Sequence, residues 1–284
     1  MPYAFLLPAL ALYILVVLYP TVQGATYAFT DWSGRSDETT SVGWDNFSVL
    51  LSDAAAMAAL RNTLVIAVTV TLLQTILGLA LALALNTALV TRDVLRTLFF
   101  APALLPPVVV AFVWQFLLTP SGPLNTVLRS AGLGGLTQNW LGDSDIALVT
   151  VIAVMIWQNA GLTMVIYLAG LQGVPAELLE SAALDGAGTW QRLRRVTIPL
   201  LIPATTVAMS LTLITSLKVF DQVFAMTGGG PGYATEVLSV IMYKEAFVSG
   251  NFGYSTAIAL VLTMLVFAFA LLQLGALRRY EVDR

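Results

Sequence analysis

The chain contains neither cysteine nor histidine, and only 10% of its 284 residues are charged. The two missing residue types remove the thiolate nucleophile, the imidazole base, the disulfide framework and the usual zinc site. With 13 Lys plus Arg against 16 Asp plus Glu, the formal net charge is −3. Such a chain has no broad basic surface for phosphates, so most enzyme classes and a nucleic-acid partner are excluded.

Apolar residues make up 58% of the chain, whereas a soluble domain is about 45–50% apolar and about 25% charged. So little charge cannot cover a surface that faces water, and we predict a lipid bilayer as the solvent. Apolar runs of about 20 residues can cross the hydrocarbon core. They predict an all-α membrane protein with six transmembrane helices in one domain, residues 1–284. The predicted spans are 4–29, 62–90, 97–118, 146–170, 197–220 and 254–277.

Two of these spans have unusual features. The third contains Pro102, Pro106 and Pro107, and we expect kinks there whose freed backbone groups are satisfied by neighbouring helices. The first could be read as a cleaved signal peptide. It lacks a basic start, and its apolar stretch far exceeds the about 7–15 residues of a signal's apolar region. We therefore expect it to be a span.

Basic residues are divided unevenly between the two sides of this topology. With a cytoplasmic N-terminus, eight of them lie on the inner side and four on the outer side, which favours cytoplasmic termini at both ends. The inner residues are Arg92, Arg96, Arg192, Arg194, Arg195, Arg278, Arg279 and Arg284, and the outer ones Arg35, Arg61, Arg129 and Lys244. Tryptophans near the outer ends predict an interfacial belt, with ligand stacking as the alternative. They are Trp32, Trp44, Trp114 and Trp140.

The predicted spans are nearly empty of ionisable side chains, which transporters driven by protons or ions usually need. The exceptions are Lys218 and Asp221, three residues apart and expected on one face of a helix near the outer end of the fifth span. Either they are an interfacial ion pair, or a lysine that snorkels to the interface, or they line a polar translocation pathway. The glycine cluster at 228–230 lacks the lysine of a phosphate-binding loop. We expect it to form an outer turn, and any ATP hydrolysis must come from a partner.

The loop between the fourth and fifth spans, residues 171–196, has a distinctive local pattern. Pro175 suits a first helical turn and Gly186 can end a helix, so a short amphipathic helix is predicted from about 175 to 185. One interpretation places this helix at the membrane interface. The other notes the small residues Ser181, Ala182 and Ala183 beside Glu180, which allow another protein to approach closely.

The sequence Glu-Ser-Ala-Ala-Leu-Asp-Gly-Ala at 180–187, followed by Ile-Pro-Leu at 198–200, resembles the EAA loop of permease subunits of binding-protein-dependent ABC importers. Ser181 replaces the alanine usual in that family. Further stretches resemble the carbohydrate branch, of the maltose and glycerol-phosphate type, so the resemblance covers essentially the whole chain. They are Leu6–Ala9, Tyr19–Pro20, Phe29–Trp32, Asn46–Phe47, Asn62–Thr63 and Thr227–Pro231.

This resemblance implies a transport subunit rather than an enzyme. Together with a homologous permease it would form the path of a sugar or sugar-like solute across a bacterial or archaeal inner membrane. An extracytoplasmic binding protein would deliver the solute, and two ATPase subunits would hold the ATP and Mg, so this chain needs no cofactor, metal or catalytic residue. A stand-alone secondary transporter or channel is the alternative.

The resemblance also implies two sets of site residues. The helix at 175–185 would dock on an ATPase, so that closure of the two ATPases switches the permeases between inward-open and outward-open states. Amides such as those of Gln158 and Asn159 suit sugar hydroxyls, or else bond helices together. Lys218 stands where an amide is expected and predicts an acidic or phosphorylated solute. The docking residues are Glu180, Ala182, Ala183, Asp185 and Gly186, and the pathway residues Gln158, Asn159, Leu162, Thr215, Lys218, Val219 and Asp221.

Overall fold

The computed structural model describes residues 6–35, 39–87 and 89–281, with side chains as far as residue 275. Residues 4 and 5 of the first predicted span, residue 88 of the second, and Arg284 lie outside the described residues, as do the side chains of Arg278 and Arg279. The predicted all-α class is confirmed. Within the described ranges the β pairing consists of one isolated antiparallel bridge, between Thr30 and Ser41.

Thirteen helical segments are labelled in chain order. They are α1 (Leu7–Tyr27), α2 (Asp45–Ser52), α3 (Ala54–Leu85), α4 (Arg92–Leu104), α5 (Pro107–Leu117), α6 (Pro123–Ser130), α7 (Ala147–Gln172), α8 (Ala176–Leu184), α9 (Thr189–Leu200), α10 (Ile202–Leu217), α11 (Asp221–Thr227), α12 (Leu238–Lys244) and α13 (Phe252–Glu281). Among the described residues, four helices are long and apolar enough to cross a membrane: α1, α3, α7 and α13 through Gly275. The bent pairs α4 with α5 and α9 with α10 raise the number to six if each pair is one span.

Helix α3 begins eight residues before the span predicted from 62. Its first turn is capped by Asp53, whose carboxylate accepts a hydrogen bond from the backbone N–H of Ala55 at 2.9 Å. Arg61 lies on an exposed face of the same helix. Arg61 thus ends the charge-free apolar run on its N-terminal side, but the helix continues through it.

Both bent pairs break at prolines. The axes of α4 and α5 differ by 98°, and the break lies at Leu105 and Pro106, as the prolines of the third span predicted. The axes of α9 and α10 differ by 64°. The predicted fifth span, 197–220, therefore bends in its first turns, where Pro199 and Pro203 flank the break.

Helices α3, α7 and α10 pack against one another and form the centre of the body. The buried amide of Gln74 on α3 joins all three, donating to Thr163 Oγ1 on α7 at 2.8 Å and to Thr212 Oγ1 on α10 at 3.2 Å. In contrast, α1 has no buried residue. Among the described residues, its main contact with the body is with α13, through its C-terminal part.

Candidate functional site

The fifth predicted span is interrupted at Lys218. Helix α10 ends at Leu217 and α11 begins at Asp221, so the two charged residues do not share a helical face, and that prediction is wrong. Neither Pro nor Gly occurs at this break. Side chains from other helices hold it instead: Ser239 Oγ donates to the carbonyl of Val219. The break is therefore stabilised by tertiary contacts and not by a helix-breaking residue in the local sequence.

Lys218 and Asp221 do not form the ion pair that was one of their interpretations. Among the described residues, ion pairs join Arg92 and Arg96 to Asp93, and Lys244 to Glu236. The ammonium of Lys218 and the carboxylate of Asp221 are both exposed. Each is therefore available to another molecule.

The break opens onto a cavity of about 460 Å³ enclosed by α3, α7, α10 and α11. Ligand sites in proteins commonly have about 300–1,000 Å³. Six of the seven predicted pathway residues line this cavity: Asn159, Leu162, Thr215, Lys218, Val219 and Asp221.

The seventh predicted residue, Gln158, lies outside the cavity lining and is 2% exposed. Its Nε2 donates to the Leu105 carbonyl at 3.0 Å, and its Oε1 accepts from Gln222 Nε2 at 2.7 Å. This is the interhelical bonding that was the alternative interpretation for its amide. Gln158 thereby ties the break between α10 and α11 to the bend between α4 and α5.

Sequence reasoning missed five polar side chains of the cavity wall. Gln74 and Thr163 are polar residues within apolar runs of the sequence, and Gln222 lies beyond the predicted end of the fifth span. A visible signal existed for Thr212, which precedes Thr215 by three residues on α10 and therefore shares its face. The missed residues are Gln74, Thr163, Thr212, Ser216 and Gln222.

The wall of this cavity combines amides, hydroxyls, one cation and one carboxylate with apolar side chains. Asn159 Nδ2 donates to the Met155 carbonyl at 3.1 Å, and Thr215 Oγ1 donates to the Leu211 carbonyl at 2.8 Å. The Asn159 and Thr215 oxygens keep capacity to accept further hydrogen bonds. Among the described residues, no group of three or more His, Cys, Asp or Glu side chains is placed to hold a metal ion. The arrangement suits binding of a polar solute.

The predicted docking residues lie on and after α8. The helix ends in a Schellman motif: Gly186 N–H donates to the Ala183 carbonyl, Ala187 N–H donates to the Ala182 carbonyl, and Gly186 has φ +80°. Glu180 and Asp185 are exposed, and their side chains make no hydrogen bond or ion pair with the described residues.

Two large apolar side chains near α8 are also exposed and were missed. Leu184, the last residue of the helix, is 90% exposed, and Trp190 at the start of α9 is 67% exposed.

The glycine-rich loop after α11 is a well-defined structure. Positive φ angles occur at Gly228, Gly229 and Gly232, and a Cβ at 229 would lie 2.1 Å from Glu236 Oε2. The Glu236 side chain is 3% exposed, and its Oε2 lies 2.7 Å from Lys244 Nζ. Asn62 Nδ2 donates to the carbonyls of Tyr233, Ala234 and Glu236 at 3.0–3.1 Å. The loop is thus a turn, without the lysine of a nucleotide site.

Known proteins with similar sequence and structure agree on one family. Residues 74–280 match the family model described as "binding-protein-dependent transport system inner membrane component". The chain is 38% identical over 276 residues to the probable ABC transporter permease protein YurN of Bacillus subtilis, covering 96% of this chain and 94% of that one. It is 33% identical over 280 residues to the multiple sugar-binding transport system permease protein MsmF of Streptococcus mutans, covering 99% and 96%.

A solved structure has the same fold over its whole length. It is the crystal structure of a bacterial ABC transporter involved in the import of the acidic polysaccharide alginate, one chain of which superposes with a TM-score of 0.86. The identity is 25%, and the match covers 99% of this chain and 96% of that one. The resemblance predicted from the EAA loop is confirmed. The chain belongs to the family of inner membrane components of binding-protein-dependent transport systems and is a transport permease rather than an enzyme.

Proposed function

We propose that the cavity at the break between α10 and α11 is this subunit's half of the path for a sugar or sugar-like solute. The observation that carries the proposal is the interruption itself. Irregular backbone inside a membrane protein is tolerated where it is buried or lines a cavity, and here it places Lys218, Asp221 and the Thr215 hydroxyl on one wall. The name of MsmF describes sugar transport. A homologous permease would supply the other half.

Lys218 gives this path a preference for an anionic solute. It is the single cation among the lining residues, and Asp221 does not neutralise it by an ion pair. An ammonium bonded to a carboxylate or phosphate makes a charge-assisted hydrogen bond, stronger than a bond between neutral groups. The alginate transporter, whose substrate is described as an acidic polysaccharide, supports this assignment.

Helix α8 is proposed to dock on one of two ATPase subunits, which hold the ATP and Mg. Glu180 supplies the polar contact, and the exposed Leu184 lies four residues later on the same helix face. Docking puts both chain termini in the cytoplasm and the glycine-rich loop on the outer side, where a binding protein releases the solute. Small side chains at 182 and 183 let the ATPase approach the helix backbone.

Glu180→Lys tests the docking. In proteoliposomes with the partner permease, ATPases and binding protein, we expect loss of solute-stimulated ATP hydrolysis with normal membrane insertion. Gly186→Asp should act similarly because a side chain is strained at φ +80°. The matched control is Asp145→Lys, which makes the same charge change at an exposed position on another loop. Normal coupling in both variants near α8 would refute the docking role.

Lys218→Gln tests the solute path. Loss of a charge-assisted bond worth about 1.5–3 kcal/mol corresponds to at least about a tenfold rise in KM. We expect this rise for an acidic sugar, little change for a neutral sugar, and retained preference in Lys218→Arg. Unchanged uptake kinetics for both sugars would remove Lys218 from the path.

A further inference from the structure

A second groove lies on the other side of the helix break. It has a volume of about 530 Å³ between α12, α13 and the segment 218–220. Lys218 and Phe220 line both this groove and the polar cavity, so the two spaces meet at these side chains. The groove wall is otherwise mainly aromatic and aliphatic, with Tyr243, Phe247 and Phe252 as its other rings.

These rings belong to a continuous row that we term the aromatic ladder. Successive ring centroids are 5.0, 5.2, 5.3, 5.8 and 5.4 Å apart, within the range of favourable aromatic contacts. The row starts at the cavity and ends on the loop that follows α1. Its members are Phe220, Phe224, Tyr243, Phe247, Phe252 and Trp32.

The exposed part of the ladder faces open space rather than a packed core. Phe247 is 70% exposed, Phe224 40% and Tyr243 36%. The exposed row is continuous with the wall of the polar cavity through Phe220, so a solute in the cavity can reach it. The planes of neighbouring rings differ by 14° to 77°, so the ladder presents ring faces and edges along its length instead of one pocket.

We propose that the aromatic ladder is a stacking platform for successive pyranose rings of an oligomeric sugar as it passes towards the polar cavity. This proposal rests on the proposed function. A pyranose ring has an apolar face of C–H groups that packs on an aromatic face, while its hydroxyls stay in water. Stacking of this kind tolerates different sugars because it does not read the hydroxyl pattern.

The polar groups of the groove support recognition by stacking. The hydroxyls of Ser239, Ser255 and Thr256 donate to the carbonyls of Val219, Met242 and Gly253. They therefore have no proton left to donate to a ligand. The charged group of this groove is Lys218, at the end shared with the cavity. A lipid acyl chain would leave that ammonium without a polar partner, whereas an acidic sugar would supply one.

The test uses the complete transporter in proteoliposomes with its binding protein. The probes are uronic-acid oligomers from alginate and neutral malto-oligomers, each of one to five rings. In Tyr243→Ala and Phe247→Ala we expect KM to rise about three- to tenfold for oligomers of three or more rings, with little change for single rings. Phe247→Tyr keeps a ring and should keep the wild-type KM. Phe267→Ala on α13, a 65% exposed ring outside the ladder, is the matched control.

The other outcomes would refute either the stacking role of the rings or the proposed sugar function. A KM rise that is equal for all chain lengths would show that the rings support the structure and not the oligomer. Loss of the partner permease on purification of Phe247→Ala would make this face a subunit interface. If the wild type takes up a probe and the variants match it, only the ladder proposal fails. If the wild type takes up neither series, the proposed sugar function fails and the ladder proposal falls with it.

Discussion

Gly161→Ala tests whether the bend between α4 and α5 depends on direct contact between two backbones. A Cβ at position 161 of α7 would lie 2.0 Å from the Phe99 carbonyl oxygen and 2.7 Å from the Phe100 Cα. Real Cβ atoms do not approach other atoms closer than 3.0 Å, so the backbones must separate by about 1 Å. Neither obstacle is a flexible side chain, and no rotamer change relieves the clash.

The cost of this separation follows from two opposing terms. Overpacking costs about 1–3 kcal/mol, and the better helix propensity of alanine recovers up to about 1 kcal/mol. We expect a net loss of about 1–2 kcal/mol. At about 2–4 °C per kcal/mol for a chain of this size, thermal unfolding in detergent should shift down by several degrees. Uptake should also fall, because Pro107, just after the bend, lines the cavity.

The matched control is Gly275→Ala on α13. A Cβ at that position has no other atom within 4 Å. Its unfolding temperature should equal or slightly exceed that of the wild type. Equal stability of the Gly161 and Gly275 variants would refute the close-contact account of the bend.

Two further predictions concern polar contacts beyond the cavity. Lys244→Met leaves the Glu236 carboxylate buried without its cation. It should lower the free energy of unfolding by about 3 kcal/mol or less, since the Lys244 side chain is 37% exposed. Addition of Glu236→Gln should restore most of this loss in thermal unfolding, and failure to do so would exclude the ion pair as the cause. The hydrogen bonds from the Thr40 hydroxyl and N–H hold the pKa of Asp31 below its usual 3.8. These bonds are complete above pH 3.8 and are lost as the pH falls through the lowered pKa. Hydrogen exchange at the Thr40 amide, corrected for its intrinsic rate, should therefore show an acid step that Asp31→Asn abolishes.

Local features of the sequence predicted helix α8 closely. The expected range of about 175 to 185 compares with Ala176–Leu184, because both ends are determined by neighbouring residues. Pro175 precedes the first turn, and Gly186 takes the positive φ that ends the helix. Composition alone predicted the long apolar helices, since an 18-residue window of high hydropathy does not depend on tertiary contacts.

The break at Lys218 was not predictable in the same way. Residues 216–221 contain no helix breaker, and their spacing favours a continuous helix that carries Lys218 and Asp221 on one face. The interruption arises because Ser239, twenty residues later, bonds the Val219 carbonyl, and Gln222 bonds Gln158 on another helix. A pattern within one segment has no information about such partners. Six of the seven predicted pathway residues nevertheless line the cavity, because the family resemblance assigns them position by position and does not depend on the helix geometry.

The bonds of Asn62 have a consequence for the order in which the protein folds. Its amide serves three carbonyls that are 171 to 174 residues later in the chain. During synthesis α3 is therefore complete long before its acceptors exist, and contacts of such high sequence separation form late. The glycine-rich loop cannot adopt its final shape until α11 and α12 have been made and packed. Assembly of this end of the permease therefore waits until the chain has been made at least as far as Glu236, and until then the amide of Asn62 lacks these three acceptors.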